Sequence, residues 1–500
     1  MRAVIKRERF VPRRTHFLAG AFVLFVGGMA AHIAGVSRGG ASFPGGSPSS
    51  HATSAALSAA DLDRGYNRLR DDLYAEWFTA TGVPATGDRP GIRGTQGNGL
   101  AGNGTLQGVT SYQLSTFWQE AQFAKWMAAD FYLRGRDHAV RRRLAEDLAL
   151  LRATYTVNDA THGLGSDGRG DGSIAVSDDA AWKVAMLQEL GEITGDPALV
   201  ATIRSAIIAI NGRFKDGFTP HNQVVVGPLI YSQYGMAYQD NVSCCNAGRS
   251  TTYEVGTLLA SLFVYQHTGE RAFLKYPEAV YASFRAKLQH SSGVYYEDLQ
   301  IDSSRAYDPT PYLVPIRKNV SALPAQGLTG FTIGGTTAMA VLAARLYRIT
   351  KDDRYRRDVS AIVAGIAADY IENGMIMEDR DPWTAGFFFF DFAREVLVLP
   401  GADPTGTVRA AIIATGHHII TTRVAIDADL DGAIDGFGYK ADWSASKTPL
   451  IGLSGGPYAS WEASGLAANG GAGGGQALPW QIMTNAQDAI VVAAADLLSR

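Results

Sequence analysis

Two adjacent aspartates, Asp178 and Asp179, stand at the start of a predicted amphipathic helix and are followed one turn later by Trp182. A helix start needs only one acidic cap, and two neighbouring carboxylates repel each other. A pair of carboxylates beside an aromatic ring is what the cleavage of a glycosidic bond requires. The pair alone also fits a plainer role, in which one acid caps the helix and the other favours its positive end.

For the catalytic role, the two carboxyl groups must approach to about 5–5.5 Å, the separation typical of a retaining mechanism. One group then attacks the sugar, and the other holds a proton for the leaving oxygen because its ionised neighbour raises its proton affinity. Successive side chains on a helix diverge. Two adjacent acids could still face one substrate if Asp178 lies on the incoming loop.

Helices are the elements that must position this pair. Apolar residues recur at helical spacing in most of the chain, as at Val184, Leu187, Leu190 and Ile193. The pattern predicts twelve helices, which start near residues 61, 116, 137, 178, 197, 251, 271, 335, 353, 385, 404 and 483.

Related turns join these helices in pairs. Four helical stretches end in such turns, at residues 132–137, 193–197, 267–270 and 349–353. In the second turn, Gly195 can take the left-handed conformation that ends a helix, Asp196 caps the next helix, and Pro197 fits its first turn. Each unit is therefore predicted to be a helical hairpin.

Short turns within pairs and long glycine-rich connections between pairs predict an all-α fold, an (α/α)6 barrel of six hairpins. The long loops would gather at one end and form a cleft. A helical solenoid is the competing architecture. Short strands are expected only in the connections at 215–245 and 421–443.

The sequence around the pair resembles glycoside hydrolase family 76, the bacterial and fungal α-1,6-mannanases and related cell-wall enzymes. The resemblance is carried by Asp178-Asp179-Ala-Ala-Trp182, which continues to Leu187, Glu189 and Thr194-Gly195-Asp196, and it extends in order over 246–269, 327–353 and 374–396. It implies the same six-hairpin barrel, endo-α-1,6-mannosidase-like activity and no required cofactor. It also implies a retaining mechanism with Asp178 as nucleophile and Asp179 as acid/base.

Three segments depart from the family pattern. The family usually has Lys-Asn where this chain has Cys245-Asn246, and commonly Thr-Tyr-Asn where this chain has the residues 332–334. Its Phe-Lys-Gly segment with a following Arg is replaced here by the residues 385–391. These positions lie in or near the family's sugar cleft, so a different α-linked polysaccharide is an alternative substrate to mannan.

Candidate substrate-binding residues are Trp182, Asn246, Asp381, Trp383 and Trp443. Sugar rings stack on indole faces, and each of these tryptophans has an acid beside or near it. Asp381 is suited to sugar hydroxyls, or to a turn before the following proline. Asn246 rests on the resemblance, and core packing is the alternative for the tryptophans.

Four aspartates resemble the start of a calcium-binding loop, namely Asp427, Asp429, Asp431 and Asp435. Acids at positions 1, 3, 5 and 9 and glycine at position 6 fit such a loop. Position 12 is Gly438, so the usual bidentate acid is missing. The loop is a candidate for structural calcium, and an ordinary Asp/Gly loop is the simpler interpretation.

The N-terminus predicts export. Six basic residues precede the uncharged stretch 17–36, as in a secretory signal peptide or an uncleaved signal anchor, and 1–36 fits both. In both cases the body leaves the cytosol because the cationic side stays inside. A secreted or periplasmic location is predicted, with 17–36 as an inner-membrane tether in the anchored case. Residues 37–60 form a flexible Gly/Ser/Pro-rich linker, and 61–500 form the catalytic domain.

The composition excludes other classes of protein. The chain is 46% hydrophobic and 19% charged with a formal net charge of -3, an ordinary balance for a globular protein. It has no basic stripe that would indicate nucleic-acid binding. The neighbouring Cys244 and Cys245 cannot link distant parts of the fold, and zinc-type cysteine spacing is absent from the sequence.

Three functions remain open from the sequence. The first is an exported retaining glycoside hydrolase that acts on a polysaccharide. The second is a transglycosidase of cell-wall or exopolysaccharide assembly, in which a sugar replaces water as acceptor. The third is a non-catalytic, membrane-tethered glycan-binding protein. The sequence does not predict the oligomeric state.

Overall fold

The apolar periodicity of the sequence folds into paired helices, as the computed structural model of the protein shows. The structure describes residues 58–79, 91–94, 106–107, 113–114, 117–135, 138–139, 142, 177–214, 222–236, 249–301, 313–316, 322–323, 328–329, 332–377, 386–427, 436–439 and 482–500. The chain divides into Met1–Ala55, which lies outside these residues, and one unit of Ala56–Arg500.

The helices begin close to where the sequence predicts them, most of them within two residues. They are α1 (Ala59–Trp77), α2 (Phe117–Arg134), α3 (Ser177–Thr194), α4 (Pro197–Phe214), α5 (Thr251–Thr268), α6 (Ala272–Leu288), α7 (Ile333–Thr350), α8 (Asp353–Asp369), α9 (Phe389–Asp391), α10 (Thr407–Thr421) and α11 (Ile482–Ser499). The predicted helix near residue 137 lies mostly outside the described residues.

The prediction of a helix that starts at residue 385 is wrong about where the helix starts. It begins only at Phe389, has three α-helical residues, and continues as a π-helical turn over Phe392–Val396. The Leu397 amide donates to the Phe392 carbonyl at 3.1 Å, which is the wider bonding of a π-turn. The wider turn coincides with the place where three charged side chains of this segment turn toward the interior, as described below.

Six helices form a closed inner ring within the described residues. In ring order α2, α3, α5, α7, α9 with its π-turn, and α11 each contact the next, and α11 returns to α2. The outer helices α1, α4, α6, α8 and α10 pack around them, and α1 packs on α11, so the two ends of this unit form one hairpin. This closure makes the fold an (α/α)6 barrel and excludes the solenoid.

The hairpin turns have the backbone conformation that the sequence predicts. Gly195, Gly269 and Lys351 take left-handed conformations with φ of 64°, 72° and 60°. The Asp196 carboxylate accepts a hydrogen bond from the Ala198 amide at 2.9 Å, which caps α4. These local signals therefore set where each inner helix ends and its outer partner begins.

Strands are short and more numerous than expected. The predicted connections hold β5 (Gln223–Val226) with β6 (Leu229–Ser232), and β14 (Arg423–Asp427) with β15 (Gly436–Tyr439). The others are β1 (Phe78–Thr79), β2 (Gly91–Gly94), β3 (Leu106–Gln107), β4 (Gln113–Leu114), β7 (Arg249–Ser250), β8 (Asp298–Ile301), β9 (Leu313–Ile316), β10 (Ala322–Leu323), β11 (Leu328–Thr329), β12 (Ile371–Glu372) and β13 (Met375–Ile376). Such short strands carry too few residues for an alternating pattern to be recognised.

The small sheets have the strand orders β1-β2-β4, β7-β8-β9 and β15-β14-β3, with the pairs β5-β6, β10-β11 and β12-β13. The pairs are antiparallel except β14 with β3. They lie in the connections, so they extend the loops and leave the helical ring unchanged.

The inner helices all start at one end of the ring, because each outer helix returns the chain. The connection after α6 crosses this N-terminal end of the ring. The Thr251 amide at the start of α5 donates to the Glu297 carbonyl at 2.8 Å. The Tyr295 amide donates to Thr336 Oγ1 in the first turn of α7 at 3.1 Å. The structure thus places this connection at the end where the sequence predicts a cleft.

Within the described part of the chain, no helix has the length and apolar character needed to cross a membrane. The predicted signal or tether at 17–36 lies outside that part.

A close backbone contact fixes the segment before α9 on α11. The Gly386 amide donates to Gln487 Oε1 at 2.7 Å. A Cβ added at Gly386 would lie 2.8 Å from Gln487 Cβ and 2.9 Å from its carbonyl oxygen. Only glycine fits this approach without displacing one of the two segments.

We expect Gly386→Ala to lower the free energy of unfolding by about 2–3 kcal/mol, because the new methyl group collides with α11. Gly212→Ala is the control, since it also lies at a backbone position without a positive φ and has no neighbouring atom within 4 Å. That change should raise stability by about 0.5 kcal/mol, because alanine favours the helix. Urea unfolding followed by circular dichroism measures both. Equal effects of the two changes would contradict the close contact.

Candidate active site

The aspartate pair lies in the first turn of α3 at the N-terminal end of the ring. Helix α3 begins at Ser177, so Asp178 lies within the helix and not on the incoming loop. The side chains of Asp178 and Asp179 lie outside the described atoms. Their backbone positions place two acids at the positive end of an inner helix, where negative charge is stabilised.

Helical spacing relates the pair to the centre of the barrel. Position 178 precedes Trp182 by four residues and Glu189 by eleven, which are close to one and three whole turns. These three positions therefore share one face of α3. This face is turned to the centre of the ring, because Trp182 and Glu189 contact groups from helices across it, as the next two paragraphs show.

Trp182 packs across the barrel against the segment that precedes α9. Its ring meets the Phe387 ring edge to face, with the centroids 4.8 Å apart. Helix α9 is not a ring neighbour of α3, so this contact spans the interior. Trp182 is only 3% exposed, which places its indole in the packed floor beneath the first turn of α3. Its stacking on a sugar stays a prediction.

A buried group of charged side chains fills the interior roughly two to three turns beyond Trp182 along α3. We define the central charge cluster as Lys125, Glu189, Glu192, Arg345, Arg348, Asp391, Arg394 and Glu395. Its members come from α2, α3, α7 and the α9 segment with its π-turn. It contains equal numbers of basic and acidic side chains, so the charges are balanced although most are buried.

Lys125 is the least exposed cation of the cluster. Its ammonium donates to both Glu189 and Asp391, and all three side chains are nearly inaccessible. Arg345 bridges Glu192 at 3.1 Å and Glu395 at 3.0 Å. Each buried charge therefore has an opposite charge within hydrogen-bonding distance, which such groups need in a low-dielectric interior.

Burial and neighbouring charges set different pKa values within the cluster. Burial raises the pKa of Glu189 to about 7, although the charge of Lys125 opposes the shift. Burial also disfavours the Asp391 carboxylate, but Lys125, Arg394 and other cations outweigh it and hold the pKa of Asp391 well below its usual range. For Glu192, Arg345 and Arg394 likewise outweigh burial and lower the pKa.

The sequence did not point to this cluster. Lys125 and Arg345 are isolated charges within largely apolar helices, and Asp391 directly follows four phenylalanines. Such isolated charges in apolar runs are the available signal, because a charge on a buried helical face needs a partner. The partners of these charges could not be identified from the local sequence, because Lys125 and Asp391 are 266 residues apart.

Most of the other predicted site residues fall outside the described part of the chain. Asn246, Asp381, Trp383 and Trp443 lie there entirely, so their roles in sugar binding stay predictions. The same holds for three predicted calcium ligands, Asp429, Asp431 and Asp435.

The remaining predicted calcium ligand, Asp427, is the last residue of β14, and its side chain is not described. Among the side chains that the structure does describe, no group of three or more histidines, cysteines or acids could hold a metal ion. The calcium site stays a prediction.

The fold and the position of the pair define an (α/α)6 barrel with two acids at the start of an inner helix. Solved structures of family 76 glycoside hydrolases share this fold, which confirms the resemblance at the level of the fold. A family 76 enzyme from a bovine Bacteroides thetaiotaomicron strain is 13% identical with a TM-score of 0.56, covering 87% of this chain and 78% of that chain. A family 76 mannosidase from Bacteroides thetaiotaomicron VPI-5482 is 11% identical with a TM-score of 0.55, covering 88% and 98%.

An α-1,6-mannanase from Salegentibacter sp. HEL1_6 is also 11% identical, with a TM-score of 0.53, covering 88% of this chain and 100% of that chain. No protein-family model matches the sequence, and no curated protein matches it. The similarity therefore lies in the fold and not in overall sequence.

The pKa of Glu189 predicts how stability depends on pH. The raised pKa of Glu189 means that the folded protein holds this proton up to about pH 7, whereas the unfolded chain releases it near pH 4.5, the ordinary pKa of a glutamate. The raised pKa of Glu189 therefore contributes to the free energy of unfolding below pH 4.5. This contribution, on the order of 3 kcal/mol, is lost as pH rises toward 7. Glu189→Gln should remove this loss, so its stability relative to the wild type should increase from pH 4.5 to pH 7.5.

Glu192 is the matched control, because its lowered pKa acts in the opposite direction. Its contribution is present above the unfolded value and is lost as pH falls, so Glu192→Gln should flatten the acidic side of the curve instead. Urea unfolding at a series of pH values measures both variants. The same pH dependence in wild type and Glu189→Gln would contradict the assignment.

Proposed function

We propose that this protein is an exported, retaining glycoside hydrolase that cleaves an α-linked polysaccharide internally, with α-1,6-mannan as the first substrate to test. The observation that carries the proposal is the consecutive aspartate pair in the first turn of an inner helix of this barrel. One of the solved structures with the same fold is an inactive variant of the Salegentibacter mannanase in complex with α-1,6-mannotriose. In that variant two consecutive aspartates are both replaced by asparagine.

The chain contains three consecutive aspartate pairs, and contacts in the fold account for the other two. Asp72 of the first pair binds the Arg423 guanidinium through both oxygens, each at 2.7 Å. In the third pair, Asp352 caps α8 and Asp353 pairs with Arg356 at 3.1 Å on the surface. The pair at 178 and 179 is the one that stands at the N-terminal end of an inner helix, where a ligand cleft is expected.

The proposed chemistry assigns one role to each acid. The Asp178 carboxylate attacks the anomeric carbon while Asp179 donates its proton to the leaving glycosidic oxygen. Asp179 then takes a proton from water, which attacks the glycosyl-enzyme and releases the sugar with retained configuration. The positive end of α3 favours the anionic nucleophile, and repulsion between the neighbouring charges favours the protonated state of its partner.

The remaining features of the proposal concern substrate and location. Trp383, Trp443, Asn246 and Asp381 are the proposed sugar-binding residues, with Trp182 beneath the catalytic pair. The basic N-terminus followed by an uncharged stretch supports export, and a polysaccharide substrate agrees with a location outside the cytosol. The departures from the family pattern near the cleft are the reason to test several α-linked polysaccharides alongside mannan.

We expect Asp178→Asn and Asp179→Asn each to lower kcat by about three orders of magnitude or more, because each removes one half of the acid and nucleophile pair. Activity is measured as reducing ends released from α-1,6-mannan and from a panel of other α-linked polysaccharides. Sized products distinguish internal cleavage from release at chain ends, and proton NMR of the first products reports their anomeric configuration.

Asp353→Asn is the matched control, since it alters an exposed aspartate of another consecutive pair and should leave kcat unchanged. Circular dichroism and thermal unfolding confirm that the variants fold. Near-normal turnover in both Asp178→Asn and Asp179→Asn would reject the proposed catalytic pair. Products of inverted configuration would reject the retaining mechanism.

A further inference from the structure

The ammonium of Lys125 contacts aromatic rings as well as carboxylates. It lies 5.4 Å from the centroid of the Phe387 ring and 5.9 Å from that of Phe388. A desolvated cation at this distance is attracted to an aromatic face. Its ion pairs with Glu189 and Asp391 fix its position at the same time. Lys125 therefore joins the central charge cluster to the phenylalanine segment that precedes α9.

The phenylalanine segment in turn supports the start of α3. Phe387 meets Trp182 edge to face at 4.8 Å, and both rings are at most 3% exposed. Trp182 lies one turn beyond Asp178 on the same face of the helix. A continuous series of contacts thus runs from Lys125 through Phe387 and Trp182 to the first turn of α3.

We propose that Lys125 is a positioning residue, which holds Phe387 and Trp182 as a rigid floor beneath the aspartate pair and thereby sets the position of that pair. The proposal rests on the proposed function of Asp178 and Asp179 for its kinetic consequence. Its structural part, the dependence of Trp182 on Lys125, holds independently of any activity.

Arg345, a second cation of the cluster, provides a control for the general loss of stability when a buried cation is removed. Arg345 is also buried, with 8% exposure, and pairs with two carboxylates, Glu192 and Glu395. Among the described side chains, the Arg345 guanidinium makes no cation–π contact with Phe387 or Trp182. Loss of either cation leaves two buried carboxylates short of a partner, so both losses destabilise the protein. Only the loss of Lys125 removes the contact of a cation with the Phe387 ring.

The experiment compares Lys125→Met and Arg345→Met in the full chain, since methionine keeps the length of the side chain and removes the charge. The chain has eight tryptophans, so incorporation of 5-fluorotryptophan gives a fluorine NMR spectrum in which Trp182→Phe identifies the Trp182 resonance. We expect Lys125→Met to shift or broaden this resonance and Arg345→Met to leave it in place. Lys125→Met should also lower kcat roughly 10- to 100-fold, with little change in KM, because misplacement affects the reacting groups most.

Phe387→Leu covers the case in which Lys125→Met does not fold. It keeps every charge of the cluster and removes the aromatic face, so it should shift the Trp182 resonance in the same way. An unchanged Trp182 resonance in Lys125→Met or Phe387→Leu, or an equal shift in Arg345→Met, would overturn the proposal. If the wild type cleaves no polysaccharide, the proposed function fails, whereas the fluorine spectra still decide whether Lys125 positions Trp182.

Discussion

A lysine ammonium buried between two carboxylates at the centre of a helical ring is the interaction on which this structure depends. Lys125, Glu189 and Asp391 come from α2, α3 and the α9 segment, so the contact crosses the interior. Burying these charges costs free energy, and removing one partner from such a group costs about 3–5 kcal/mol. The helices therefore cannot rotate or slide relative to one another without leaving a buried charge unpaired.

This requirement gives the barrel a fixed register that apolar packing alone does not give. The ring interior is lined by alanine, valine, leucine and phenylalanine, which tolerate small rotations of a helix. Charged pairs do not tolerate them, because their hydrogen bonds depend on direction and distance. Since Glu189 lies three turns from Asp178 on α3, fixing one fixes the rotational position of the other.

Local structure could be predicted from the sequence, whereas long-range contacts could not. Gly195 and Asp196 predict the end of one helix and the start of the next, because helix-capping interactions involve residues only a few positions apart. Ring closure depends on contacts between α11 and both α1 and α2, which no local pattern contains. The shortened helix after Gly386 was missed for the same reason, since its course is set by Gln487 on α11.

The structure also changes the condition under which the two acids can act together. From the sequence, both carboxylates could face one substrate if Asp178 lay on the incoming loop, yet α3 already includes it. On an ideal helix adjacent Cβ atoms lie roughly 5 Å apart, because a quarter turn separates them and the rise is small. That distance is close to the separation of about 5–5.5 Å used in retention. Two consecutive helical positions are therefore compatible with the proposed catalytic pair, although the separation of the carboxyl groups also depends on the side-chain conformations.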